Sequence, residues 1–493
     1  MPHSAGPERA DLAATLDTLR ALDAAIARQA GRTVETWAPW LARAEFAAGA
    51  ENLAAYLALR AEDRSDLQRR LRRHGLSTLG RSEGRVRASI GAMVATLEGR
   101  DPDPATDAAF AAAPRMLAEA TETLFGPAPQ GRRTRILVTL EPAVALDPAA
   151  MAELVRRGAD AVRINCAHDG PDAWRAMAAA AREAAAAQGR PIRVMMDLGG
   201  PKIRTTDLSP KDTVRLDQGD MLVIRRDPRA AHPRGVRASC GCTLPEALAA
   251  VAPGAPAMID DGKFVARVER ADAEALWLRI ERTKPGGAKL KADKGLNFPG
   301  SAVRVAALTA RDRADLDVVR EIADAVEYSF VQTADDVLAL HEAIARRPRA
   351  GAPLGVIAKI ETTLAFRNLP EIMVAGAGRA PFGVMIARGD LGVEVGFARL
   401  SEVQEEILWL CEAAHVPVIW ATEVLAALIK TGVPVRGEFT DAAMGARAEC
   451  VMLNKGAHLA EGVSALDDVL RRAERHLDKK TPQLAALRSW AAG

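Results

Sequence analysis

Aromatic residues are scarce, at 4% of 493 residues, with only two Tyr. A single-strand nucleic-acid binder therefore lacks its stacking platforms, and the core has to be built from aliphatic side chains. An excess of either charge is missing too: 66 Lys+Arg against 64 Asp+Glu leave a formal net charge of +2. That balance indicates neither a nucleic-acid-coating protein nor an acidic solvating chain. Five cysteines, Cys166, Cys240, Cys242, Cys411 and Cys450, are too few and too scattered for a disulfide framework, so a reducing compartment is expected. Cys240 and Cys242 have no second Cys/His pair at zinc spacing and read as loop cysteines. No run reaches the roughly 18 apolar residues of a membrane span, and the N-terminus has no apolar signal-peptide core. No membrane contact is expected, and the location reads as cytoplasmic. What is present, 49% apolar and 26% charged residues, describes a folded chain of roughly two to four domains.

Up to about residue 125 the pattern is helical. Apolar residues recur at helical spacing through Leu12, Leu16, Leu19, Leu22 and Ile26, and again from Leu53 to Leu71. The basic run from Arg69 to His74 lies on an amphipathic stretch and reads as a solvated face. Gly126, Pro127, Ala128 and Pro129 stop the last helix and mark a linker, so residues 1–130 form an N-terminal helical domain.

From residue 134 short β-branched runs alternate with Ala-rich helical stretches, the rhythm of βαβ units. Candidate strands are Ile136–Leu140, Ala161–Asn165, Arg193–Asp197, Asp324–Val331, Gly355–Ile360, Gly383–Ala387, Val418–Ala421 and Cys450–Leu453. Eight such units predict an α/β fold, a (β/α)8 TIM barrel with its chemistry at the C-terminal strand ends. The rhythm breaks over 206–298 into alternating strands with Gly and Pro turns. This predicts an inserted small β-barrel placed as a lid over the catalytic face. The barrel then comprises 131–205 and 299–478, with a tail at 479–493.

Polar residues sit at those strand ends. The segment VIAKIE places Lys359 and Glu361 at alternate positions of one strand, and ARGDLGVE places Asp390 at the mouth of the next. Two carboxylates there can hold a hard divalent cation and leave positions open for substrate oxygens. WATEV puts Thr422 on the same rim. VRINCAH supplies Arg163, Asn165 and His168, and DLGGPKIRT supplies Asp197, Lys202 and Arg204 beside glycines. Four cations, Arg163, Lys202, Arg204 and Lys359, around two metal-type carboxylates suit phosphoryl transfer, in which charge on the equatorial oxygens must be neutralised.

In this order, VRINCAH, DLGGPKIRT, MIDDG, KADKGLNFPG, ALTARD, SFVQTADD, KIE, MIARGDLGVE and ATEVL resemble the pyruvate kinase family over residues 134 to about 472. The resemblance implies a phosphotransferase that moves the phosphoryl group of phosphoenolpyruvate to ADP at the last step of glycolysis. It implies Glu361 and Asp390 as ligands of Mg²⁺ or Mn²⁺ and Lys359 as the lysine that stabilises the transferring group. Thr422 matches the threonine near the methylene carbon, the backbone at Arg388, Gly389 and Asp390 the loop that binds the substrate carboxylate, and Arg163 a phosphoryl contact. Asn165, His168 and Arg204 would face the nucleotide, with Asp261 and Lys294 closing over it from the lid and Asp260 as the neighbouring alternative.

Several positions depart from the family pattern. Ala167 and Leu198 replace hydroxyl residues that ligate K⁺, and Lys202 stands where K⁺-dependent members carry glutamate. Activity without K⁺ is therefore expected, with the Lys202 ammonium as the surrogate cation. LNKGAH at 453–458 replaces the usual LSGETA, and the family's C-terminal regulatory domain is not expected in this chain. The N-terminal helices could instead supply contacts of a homo-oligomer. Two other readings compete: a metal-dependent pyruvate-enolate lyase or aldolase on the same barrel, and a pseudokinase whose helical domain binds a partner.

Overall fold

The computed structural model describes residues 5–301, 303–346, 349 and 351–483. Five long helices come first: α1 (Ala5–Trp37), α2 (Ala47–Arg60), α3 (Ser65–Arg73), α4 (Val86–Leu97) and α5 (Pro104–Phe125). Leu19, Leu22 and Ile26 form the buried stripe of α1, as their spacing predicts. The apolar pattern from Leu53 to Leu71 is divided between α2 and α3. The break falls where the Asp63 side chain accepts a hydrogen bond from Ser65 N at 2.8 Å and turns the chain. The basic residues of α3 lie beside its buried Leu67 and Leu71, with Arg69, Arg72 and Arg73 exposed. Asp103 caps the start of α5 through Thr106 N, and Gly126, at φ 83°, ends it.

The barrel follows. Its strands are β1 (Arg135–Thr139), β2 (Ala161–Asn165), β3 (Arg193–Asp197), β4 (Ala325–Tyr328), β5 (Gly355–Ile360), β6 (Phe382–Ala387), β7 (Val418–Ala421) and β8 (Cys450–Leu453). All pair in parallel and in sequence, and β8 closes onto β1. Strands buried on both faces need apolar residues throughout, and this is why they read as short continuous runs. The fourth strand stops earlier than the run Asp324–Val331 suggests. Phe330 takes a left-handed φ of 56° and carries the chain off the barrel.

Leu124 and Phe125, the last two residues of α5, plug the barrel from below. They pack with the inward side chains Leu137, Met195, Ile357, Met385, Ile419 and Met452. Glycine makes the room: a Cβ at Gly355 would lie 2.5 Å from Leu124 Cδ2, and one at Gly383 3.0 Å from Leu124 Cδ1. The helical region is thus part of the barrel's own core. Asn52 adds a polar tie, donating to Ala413 O at 2.8 Å on the barrel side and to Glu83 O at 2.6 Å.

Between β3 and β4 the chain builds a second body with its own hydrophobic core. Among the described residues it has a seven-stranded sheet and a two-stranded ribbon of Thr213–Leu216 with Ala288–Lys291. The sheet's terminal strands, Thr205–Ser209 and Leu296–Asn297, meet at the neck through an Arg204–Gly295 bridge. Two hydrogen bonds of 2.8 Å, Thr205 N to Lys294 O and Leu296 N to Ile203 O, hold that closure. The expected small barrel therefore closes by a short neck and not by a full ladder. Cys240 and Cys242 are not loop residues: both are buried on the strand Ala238–Cys242, which pairs with strands on either side.

After β8 come the helix Leu459–Ala473 and a hairpin of Leu477–Asp478 with Thr481–Pro482. Of the expected tail, 484–493 lie outside the described residues. No helix among the described residues is long and apolar enough to cross a membrane. The plug gives a direct prediction. Phe125→Ala leaves a cavity at the barrel floor and lowers unfolding free energy by about 3–5 kcal/mol in urea titration; a loss below about 1 kcal/mol would show that the plug is dispensable.

Candidate active site

Parallel strands deliver their last inward-facing side chains to one shared floor, which β2, β3, β4 and β5 line with charge. Lys359, near the end of β5, is buried, and its Nζ lies 3.1 Å from both carboxylate oxygens of Asp197 at the end of β3. The same ammonium donates to Ser329 Oγ at 2.7 Å and sits 3.3 Å from Glu361 Oε1. Arg163 on β2 donates from Nε to Asp197 Oδ2 at 3.1 Å and to Glu327 Oε2 at 3.0 Å. Its Nη2 also bonds Asp197, and its Nη1 reaches Thr139 Oγ1 at 3.2 Å. One carboxylate, Asp197, thereby bridges two buried cations.

Titration follows from that packing. Burial alone would lower the Lys359 pKa, yet the charges of Asp197 and Glu361 raise it above the usual lysine range. Burial works against the Asp197 anion, but Lys359 and Arg163 hold its carboxyl below the usual value. Glu361 goes the other way, because burial and the nearby Asp390 charge outweigh the pull of Lys359. The Glu361 Oε2 atom accepts from Phe330 N at 2.6 Å, a bond that the left-handed Phe330 backbone makes possible.

The second half of the site forms where β6 runs directly into a helix, Arg388–Val395. A helix N-terminus is a setting that favours anions. Gly389 N donates to Thr422 Oγ1 at 2.7 Å, and Thr422 holds a φ of 66°, unusual for a β-branched residue. Lys202 Nζ lies 2.7 and 3.0 Å from the two oxygens of Asp390. The Arg388 side chain serves as a strut, bonded to Ala421 O, Thr422 O and Asp441 with its guanidinium 4.5 Å from the Trp420 ring centroid. What Arg388 offers to a ligand is therefore its backbone.

Arg163, Lys359 and Glu361 thus share one cluster through Asp197 and an ion pair, while Lys202 with Asp390 and Gly389 with Thr422 form two pairs joined along the chain at Gly389 and Asp390. The charge of Asp390 acting on Glu361 couples the cluster to these pairs. The residues expected on the nucleotide side make their contacts elsewhere. Asn165 Oδ1 accepts from Ala167 N at 2.9 Å, and His168 is exposed in the turn after β2. At the lid neck Arg204 pairs with Asp293 at 3.5 Å, and Lys294 pairs at 3.3 Å with Asp260. Asp261 is exposed beside Gly295, a residue Lys202 also approaches.

Three residues of the floor escaped the sequence reading as site residues: Asp197, noted only as a strand-end acid, and Ser329 and Glu327. Glu327 carried a usable signal, since a carboxylate inside the apolar run AVEY has to find a partner when the strand is buried.

Among the described residues no group of three or more His, Cys, Asp or Glu is placed to hold a metal. The pair Glu361 and Asp390 still fits a divalent cation, because the Asp390 charge helps to raise the Glu361 carboxyl and two carboxylates leave positions for water and substrate oxygens.

A (β/α)8 barrel that gathers cations, a carboxylate pair and a helix N-terminus at its C-terminal face has the arrangement of an enzyme-type site. The family model described as pyruvate kinase, barrel domain, matches residues 131–466. A pyruvate kinase of Geobacillus stearothermophilus is 31% identical over 357 residues, 71% of this chain and 58% of that protein. One from Agrobacterium vitis is 33% identical over 361 residues, 70% of this chain and 69% of the relative. Among solved structures, a pyruvate kinase from Cryptosporidium parvum aligns with a TM-score of 0.64 at 26% identity, covering 72% of this chain and 73% of that one. The chain belongs to the pyruvate kinase family.

The bridge gives a test of the floor. Asp197→Asn leaves Lys359 and Arg163 sharing too little negative charge and should cost about 3–5 kcal/mol of stability. Unchanged thermal unfolding would mean that Asp197 does not hold the two cations.

Proposed function

We propose that this chain transfers the phosphoryl group of phosphoenolpyruvate to ADP, giving pyruvate and ATP. The observation that carries the reading is the convergence of Lys359, Arg163 and Glu361 on one buried floor beside Asp390. In the transfer, the bond from phosphorus to the enol oxygen breaks as a bond to the terminal phosphate oxygen of ADP forms. Charge spreads over the equatorial phosphoryl oxygens, and fixed cations stabilise it most when they are already aligned. Lys359 is aligned by Asp197 and Ser329, and Arg163 by Asp197 and Thr139.

The enolate left behind takes a proton at its methylene carbon. Thr422 supports that step, held beside Gly389 by its hydroxyl. The backbone N–H groups opening the helix Arg388–Val395 take the substrate carboxylate. Glu361 and Asp390 would hold Mg²⁺ or Mn²⁺, which supplies positive charge to the substrate carboxylate and enol oxygen. Asn165, His168, Arg204, Asp261 and Lys294 are the candidates to receive the nucleotide, with the lid excluding water once closed. Lys202, ion-paired with Asp390, supplies the positive charge that K⁺ provides in other members, so the reaction runs without K⁺. The reading places the enzyme in the cytoplasm, at the final step of glycolysis.

The test is a coupled assay of purified protein with phosphoenolpyruvate, ADP and Mg²⁺. Pyruvate and ATP should form one for one in buffer free of Na⁺ and K⁺. Pyruvate without ATP would sink the phosphotransferase reading, and an absolute need for K⁺ would sink the role of Lys202. Lys359→Met should lower kcat by about 10²–10³-fold while divalent-ion affinity stays close to that of the parent. Glu361→Gln or Asp390→Asn should weaken Mn²⁺ binding as well as turnover, and unaltered Mn²⁺ affinity would remove them as ligands.

A further inference from the structure

Two ionisable residues of the floor, Asp197 and Glu327, have no direct task in the reaction, and of these Asp197 is accounted for as the bridge between Lys359 and Arg163. Glu327 sits on β4, in register with Asp197 on one side and Ile357 on the other. Strand alternation fixes its direction: Ala325 packs with the barrel interior and Val326 and Tyr328 with the outer core, so Glu327 points inward. It is fully buried, its Oε2 accepts from Arg163 Nε at 3.0 Å, and its Oε1 has no hydrogen-bond partner. Burial and the neighbouring Asp197 charge push its carboxyl up to about 7. An apolar side chain at this place would be cheaper to bury.

The hydrogen-bond count on Arg163 shows what that cost secures. A guanidinium has five N–H groups. In Arg163 the Nε–H is shared between Asp197 and Glu327, one Nη1–H goes to Thr139, and one Nη2–H goes to Asp197. One N–H on each terminal nitrogen is left for a ligand, a fork suited to a phosphoryl group. Asp197 cannot fix that orientation alone, because both of its oxygens also serve Lys359. A second acceptor on Nε locks the ring of bonds around the guanidinium. It also offsets the mutual repulsion of Arg163 and Lys359.

We propose that Glu327 is a positioning residue that clamps the Nε edge of Arg163, so that its two terminal N–H groups address the transferring phosphoryl group. This inference rests on the phosphoryl-transfer reading above and is separable from it by experiment.

The experiment is a double-mutant cycle between Glu327 and Arg163, read by steady-state kinetics and by calorimetric titration of phosphoenolpyruvate with Mg²⁺, with thermal unfolding of each variant. Glu327→Ala should raise KM for phosphoenolpyruvate about 10–100-fold, the range for losing a charge-assisted hydrogen bond, with a smaller effect on KM for ADP. Glu327→Gln keeps an acceptor for Nε and should stay within about threefold of the parent, and it serves as the reporter if the alanine variant does not fold. In an Arg163→Lys background, which lacks the Nε donor, Glu327→Ala should change KM by less than about twofold.

Full additivity of the two changes, a Gln variant as impaired as the Ala variant, or an Ala variant with parental KM would each overturn the clamp while leaving the proposed reaction intact. A parent protein that binds phosphoenolpyruvate without turnover would overturn the reaction, and the binding cycle would still decide the clamp. Absence of both binding and turnover would overturn both.

Discussion

The Asp197 carboxylate, wedged between the Lys359 ammonium and the Arg163 guanidinium, is the interaction on which the site depends. Two cations aimed at one place repel each other, and burial penalises each of them separately. An anion between them answers both costs, and it holds the pair in position before any ligand arrives. Preorganisation of this kind is what makes an electrostatic site effective, since nothing has to reorient as charge develops. Ser329, Thr139 and Glu327 complete the hydrogen bonds that Asp197 cannot supply alone.

The rest of the chain is built around that floor. Below it, Leu124 and Phe125 of the helical region fill the barrel's lower end, and glycines at the starts of β5 and β6 admit them. The last two residues of the helical region are in this way packed into the core of the barrel that follows them. Above the floor the inserted sheet springs from a narrow neck at Arg204 and Gly295, next to Lys202 and Asp390. Lys202 therefore joins the neck of the inserted body to the charged rim of the barrel.

Much of this was readable from the residues. The strands Ala161–Asn165, Arg193–Asp197, Gly355–Ile360, Val418–Ala421 and Cys450–Leu453 coincide with the observed bounds, because strands buried on both faces leave compact apolar runs. Lys359 and Glu361 were legible as a pair because alternate residues of a strand share a face. The extent of the fourth strand was not legible, since a left-handed turn at Phe330 is a tertiary choice without Gly or Pro to announce it. Nor were the strand positions of Cys240 and Cys242, which short segments rich in small residues disguise as loop. The partnership of Glu327 with Arg163 joins positions on strands not adjacent in the sheet, and strand patterning carries no information about such a contact.

The account stands on two cations and two carboxylates addressing one substrate. The most direct measurement is anomalous diffraction from a crystal grown with Mn²⁺ and phosphoenolpyruvate. The account predicts a manganese peak between the carboxylates of Glu361 and Asp390, and phosphoryl oxygens within hydrogen-bond reach of Lys359 Nζ and the terminal nitrogens of Arg163. Manganese bound elsewhere, or a phosphoryl group beyond the reach of both cations, would contradict it.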